Sequence, residues 1–124
     1  MHPAISQLWV TFDLGAFWIT AIILRRINGM IFISYSWNDS FFARLAFGFL
    51  IETGHQAWID YLNLDITKPI EPQLMKAIWA SSCLVCLDSS SSQNSSWVQY
   101  ELAVAAVLSK PVKSISVPND TGLM

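Results

Sequence analysis

The chain has 124 residues, enough for one domain with a real core but not for two. Hydrophobic residues make up 53% and charged residues 13%, and the formal charge is −2. Its Lys and Arg are scattered, with only Arg25 and Arg26 adjacent, so no basic stripe exists to track a nucleic-acid backbone.

Residues 1 to 29 differ from the rest. Between Leu14 and Leu24 the sequence is strongly apolar and then meets Arg25-Arg26. A membrane span takes about 20 apolar residues, and residues 8 to 26 reach that length only by including Asp13 and Gly15. No basic start or small-residue cleavage site marks a signal peptide. If the segment spanned a bilayer, the arginines would hold the domain downstream of them in the cytosol. The preferred readings are a helix packed on the domain or an upstream extension, with Met30 well placed as a start. The expected location is cytoplasmic, a membrane-anchored form being the alternative.

From Met30 the pattern becomes regular. "MIFISYS" is a short run of β-branched and aromatic residues, which predicts a buried strand. "WNDS" supplies a turn and capping side chains, and Phe42, Leu45, Phe49 and Leu50 recur at helical spacing until Thr53-Gly54. "QAWID" predicts a second strand and "YLNLDITKP" a polar loop. "EPQLMKAIWAS" predicts a second helix, with Pro72 in the tolerant first turn. "CLVCL" is the third strand. Its Cys83 and Cys86 stand three apart, facing opposite ways in a strand, and read as two buried reduced thiols. His2 and His55 stand alone, so no zinc site is completed. "DSSSSQNSS" predicts a solvated loop and "WVQYELAVAAVLS" a third helix opened by a Ser96–Gln99 capping box. "VKSISV" is the fourth strand, and residues 119 to 124 form a tail.

Strands alternating with helices imply a flavodoxin-like parallel sheet with helices on both faces. The ligand crevice in such sheets lies at the carboxyl ends of the strands, here segments 36–40, 61–69 and 88–96. There the sequence lacks GxGxxG, GxxxxGK[ST], the paired acids of a receiver domain and the GxSxG elbow.

Four segments in order do resemble a known family. "FISYSWND", "AWID", "IEPQLMKAI" and "SSWVQYEL" are similar to motifs of the Toll/interleukin receptor (TIR) domain, and the resemblance runs from about Ile31 to Val117, within a domain taken as 30–118. It implies the TIR fold, although the usual last strand and helix are not reached and Thr67 stands where the BB loop commonly carries glycine. It also implies that Glu101 is the catalytic carboxylate of an NAD⁺ glycohydrolase or cyclase, as in bacterial, plant and axon-degeneration members, acting in immune defence or cell-death signalling. NAD⁺ would be substrate, and no cofactor or metal is expected. One acid suffices for this chemistry, because nicotinamide leaves as a neutral molecule and needs no protonation.

Other substrate-binding candidates are Tyr35, Ser36 and Trp37 after the first strand, Asp39 at the start of the first helix, Asp60, Ile66 and Lys68 around the BB loop, and Trp97 one turn before Glu101. Each has a structural alternative, as loop packing, cap or solvated charge. The partners implied are other TIR domains, with a homo-oligomer as the active form. A non-catalytic adaptor that signals through TIR–TIR association is the competing reading.

Overall fold

A computed structural model describes residues 28–117. Expectations for residues 1 to 27 and for the tail therefore lie outside the described residues, among which no helix is long and apolar enough to cross a membrane.

Four strands form one sheet: β1 (Met30–Ser34), β2 (Gln56–Trp58), β3 (Cys83–Asp88) and β4 (Val112–Ser116). All pairings are parallel, in the order β2-β1-β3-β4. The helices are α1 (Ser40–Glu52), α2 (Asp60–Asn63), α3 (Ile70–Ala80), α4 (Ser90–Gln93) and α5 (Ser96–Val107), with a 3-10 turn at Trp37–Asp39. The expected strands and three long helices are all present. Two stretches expected as loops contain a helical turn each, α2 and α4.

The central strands β1 and β3 are buried on both faces because they carry apolar residues at odd and even positions alike, while the edge strands β2 and β4 are largely exposed or half-buried. Ile31, Ile33 and Tyr35 join Val85, Leu87 and Ile115 in a core with Ala43, Ala46 and Leu50 of α1. Phe32 and Leu84 turn the other way, onto Leu74, Ala77 and Ile78 of α3 and Val104 and Ala105 of α5. Across the β1–β2 register Phe32 stacks on Trp58, with centroids 4.7 Å apart and planes 8° from parallel. The same alternation sends Ser34, at the end of β1, toward the α3–α5 side, opposite Cys86 of β3. Both cysteines are free and buried, as expected. Burial pushes the Cys86 thiol up to about 11, so it is neutral at physiological pH.

Two helices end in the same hydrogen-bonding device. After α1, Gly54 lies at φ +90°, and the Gly54 and His55 amides donate to the Ile51 and Leu50 carbonyls at 3.0 and 2.9 Å. After α5, the Ser109 and Lys110 amides donate to Ala106 and Ala105 at 3.1 and 2.8 Å. Both are Schellman closures. The second puts Ser109 at φ +57°, where glycine is the usual occupant.

Candidate functional site

The direction in which strands are added reverses at β1, since β2 lies on one side of it and β3 on the other. At the carboxyl ends of these strands a cleft of about 730 Å³ opens, the position at which parallel sheets hold ligands. It is lined by Tyr35, Ser36, Trp37 and Asn38 after β1, by Asp60, Leu64, Ile70 and Leu74, and by Ser90, Ser91, Asn94 to Trp97 and Glu101 after β3.

Glu101 is held on α5 and only 7% exposed, yet it lines this cleft. The Ser34 hydroxyl donates to its Oε1 at 2.7 Å, a contact across 67 residues of sequence. Burial drives the carboxyl up to about 7, the Ser34 bond pulls it down, and the Asp60 charge raises it again. Desolvation therefore outweighs the single hydrogen bond. Among the described residues Ser34 is the one hydrogen-bond donor to this carboxylate.

A second carboxylate faces the cleft. The Tyr35 hydroxyl donates to Asp60 Oδ1 at 2.5 Å and the Trp37 indole N–H to Asp60 Oδ2 at 3.3 Å. Burial, then the bond to Asp60, holds the Tyr35 phenol well above its ordinary range. None of the residues lining the cleft is Lys, Arg or His. Two acids and the rings of Tyr35, Trp37 and Trp97 thus meet in a lining that holds no cation, an arrangement suited to a positively charged aromatic ligand. Arg44, over the Tyr61 ring at 4.8 Å, acts on the Tyr35 hydroxyl from outside that lining. Among the described residues no group of three or more potential ligand side chains converges on a metal position.

Of the residues singled out in the sequence, Tyr35, Ser36, Trp37, Asp60, Trp97 and Glu101 line the cleft together. Trp97 is 44% exposed and meets Tyr100 edge-on at 6.1 Å, so its ring is not packed away against the sheet. Three residues lie apart from the cleft lining. Asp39 is buried, and its carboxylate accepts from the Ser89 hydroxyl at 2.5 Å, tying the β1 and β3 loops together. It makes no side-chain cap to α1. Ile66 projects from the loop tip, 81% exposed. Lys68 pairs with Asp65 at 3.8 Å instead of facing the cleft.

The serine-rich segment departs from expectation. Ser89 and Ser92 form a reciprocal capping box around α4, and Ser92 is buried, so the stretch is an ordered wall of the cleft. The box expected at Ser96–Gln99 does not form. Ser95 is extended and accepts from the Val98 amide at 3.2 Å, which starts α5 one residue early, while the Gln99 carboxamide donates to the Ser92 carbonyl at 3.2 Å. Ser34 was not singled out in the sequence. The readable signal was a lone hydroxyl closing an otherwise apolar strand, on the face that the helix of Glu101 covers.

The family model described as TIR domain matches residues 31–118, more than two thirds of the chain. No curated protein matches the chain significantly.

Proposed function

The chain belongs to the TIR-domain family, and on that premise we propose that it cleaves the bond between nicotinamide and ribose in NAD⁺. The family connects the chain with signalling and immune-type function, and TIR domains generally bind other TIR domains. The observation that carries the enzymatic reading is the buried Glu101 carboxyl facing a cleft with aromatic rings and no cationic side chain.

NAD⁺ carries its positive charge on the pyridinium ring. As the C1′–N bond breaks, the bonding pair moves to the ring nitrogen and nicotinamide leaves neutral. Positive charge then develops on the ribose, and an ionised Glu101 beside it stabilises that change. The same oxygen can hold the ribose hydroxyls in place. Water adds at C1′ and loses a proton, giving ADP-ribose and one released proton. Attack by an internal nucleophile of the ADP-ribosyl group gives a cyclic product by the same balance. Ser34 keeps the carboxylate oriented, and Asp60 with Tyr35 and Trp37 forms the opposing acidic wall.

The test is chromatographic. Concentrated wild-type protein should convert NAD⁺ to nicotinamide and an ADP-ribose product, and Glu101→Gln should not, while circular dichroism shows the fold unchanged. Equal turnover by the variant ends the proposal. A second reading, association without catalysis, is favoured by Ile66, which stands 81% exposed at the tip of the loop between α2 and α3. On that reading Ile66→Asp abolishes partner binding and Glu101→Gln leaves it intact.

A further inference from the structure

The loop joining α2 to α3, residues 64 to 69, supplies Leu64 to the cleft and leads straight into Ile70, which lines the same wall. It contains no glycine, and none of its residues has a positive φ. Its helix-side boundary is weak, because the N-cap of α3 is Pro69 and offers no side-chain cap. Leu64 and Ile70 pack against the core on the α3–α5 side, but the stretch between them has neither a glycine turn nor a side-chain cap to hold it.

Gln73 holds that stretch. Its carboxamide oxygen accepts from the Asp65 amide at 2.8 Å. Its amide nitrogen donates to the Asp65 and Pro69 carbonyls, each at 2.8 Å, and reaches the Lys68 carbonyl at 3.3 Å. One side chain therefore engages both ends of the loop. Inside this clamp Asp65 bonds the Thr67 amide and hydroxyl at 3.0 and 2.6 Å, an Asx-type turn. These Thr67 bonds hold the exposed Asp65 carboxyl below its ordinary range.

We propose that Gln73 is a positioning residue: its carboxamide clamps residues 65 to 69 and so sets the Leu64–Ile70 wall of the cleft. The clamp acts on the protein without ligand. Its effect on turnover rests on the proposed NAD⁺ chemistry, so the two are separated by measuring the loop and the reaction independently.

Glutamine is the residue the site requires, since it must accept from one amide and donate to carbonyls through one rigid plane. Glutamate keeps the acceptor and loses both donors, and it turns a charge toward three carbonyl oxygens. Methionine keeps the volume and loses everything polar. Neither side chain belongs to the buried core, because Gln73 is only half-buried, so both variants are expected to fold.

Amide hydrogen exchange of the full chain without NAD⁺ is the primary test. In Gln73→Met the Asp65 amide should exchange at least about tenfold faster, as expected for loss of its hydrogen bond, and Thr67 and Lys68 should loosen with it. In Gln73→Glu the Asp65 amide should stay nearer the wild-type rate while Lys68 loosens. Amides of β1 and α5 should be unaffected in both. Unchanged exchange across 65–69 in Gln73→Met overturns the clamp, whatever the enzyme does. Where NAD⁺ is turned over, the same variant should raise KM several-fold with kcat nearly constant. A loss of kcat at constant KM contradicts a role confined to the wall. If the loop loosens as described in a protein that never consumes NAD⁺, the clamp stands and the proposed chemistry falls.

Discussion

Replacing Glu101 with glutamine removes a charge while keeping the shape and the acceptor that Ser34 uses. The carboxyl sits at about 7 in the folded chain against an ordinary 4.5. Each pH unit of that gap is worth about 1.4 kcal/mol, so ionising the group inside the fold costs on the order of 3 kcal/mol. The sign is set by proton binding. Between pH 4.5 and 7 the folded chain holds this proton more tightly than the unfolded chain, so stability falls as pH rises through that window. The penalty is absent below about pH 4.5 and complete above about pH 7.5. Glutamine has no proton to lose, and its stability carries no such slope. Urea unfolding of both proteins at several pH values between about 4.5 and 8.5 measures this directly. The difference between variant and wild type should grow in the variant's favour by about 3 kcal/mol from the acid to the alkaline end. With a urea slope of about 2 kcal/mol per molar, the relative midpoint shift is about 1.5 M. A difference that stays constant with pH would mean that Glu101 is solvated or paired, and would falsify the account of a desolvated acid.

The same geometry fixes further outcomes. If turnover needs the ionised carboxylate, kcat/KM should climb about tenfold per pH unit below about pH 6 and level off above about pH 8; a flat profile across that range removes Glu101 from the reaction. Ser34→Ala deletes the bond that favours the ionised form, so the midpoint of that climb should move to higher pH, and the protein should lose about 1 to 2 kcal/mol at about pH 8. Tyr35→Phe removes the 2.5 Å bond to Asp60 and is expected to cost about 1 to 2 kcal/mol by denaturation, with a smaller loss if water replaces the hydroxyl. Ser109→Gly relieves a left-handed backbone at φ +57° and should raise stability by about 0.5 to 1 kcal/mol without touching activity; a destabilised Ser109→Gly would show that the serine side chain contributes a contact larger than the strain.

Most of the scaffold was legible in the sequence because its signals are local. Continuous apolar strands, helical spacing in "FFARLAFGFL" and the Thr53-Gly54 stop each report on a handful of neighbouring residues, and the parallel sheet is implied by their alternation. Glu101 was legible for a related reason, since a single acid on an apolar helix is conspicuous. What the sequence hid was pairing at long range. The Ser34–Glu101 and Asp39–Ser89 bonds join residues 67 and 50 apart, and although a hydroxyl closing an apolar strand marks Ser34 as unusual, nothing local names the partner of either serine. The serine run looked solvated because low complexity and polarity usually mean that. Its order comes from reciprocal capping and from contact with the β1 loop, where the Asn38 carboxamide donates to the Ser91 hydroxyl at 3.2 Å. The early start of α5 came down to which of two adjacent serines points back at the helix, a choice that packing makes.

The two sides of the cleft are anchored very differently. Glu101 sits on a long helix packed against the core and is tethered through Ser34 to the end of the central strand β1, so moving its backbone requires opening one of the more stable parts of the domain. The facing wall is continued by a solvent-exposed segment, residues 65 to 69, held by the Gln73 carboxamide and the Asp65–Thr67 turn, with only the flanking Leu64 and Ile70 packed on the core. Fluctuations should therefore be one-sided: the acid acts as a fixed jaw, and traffic in and out is governed by the other. Agents that soften the surface without melting the domain, such as low concentrations of urea or moderate warming, would then alter how tightly a guest is gripped well before they alter the position of the charge it meets.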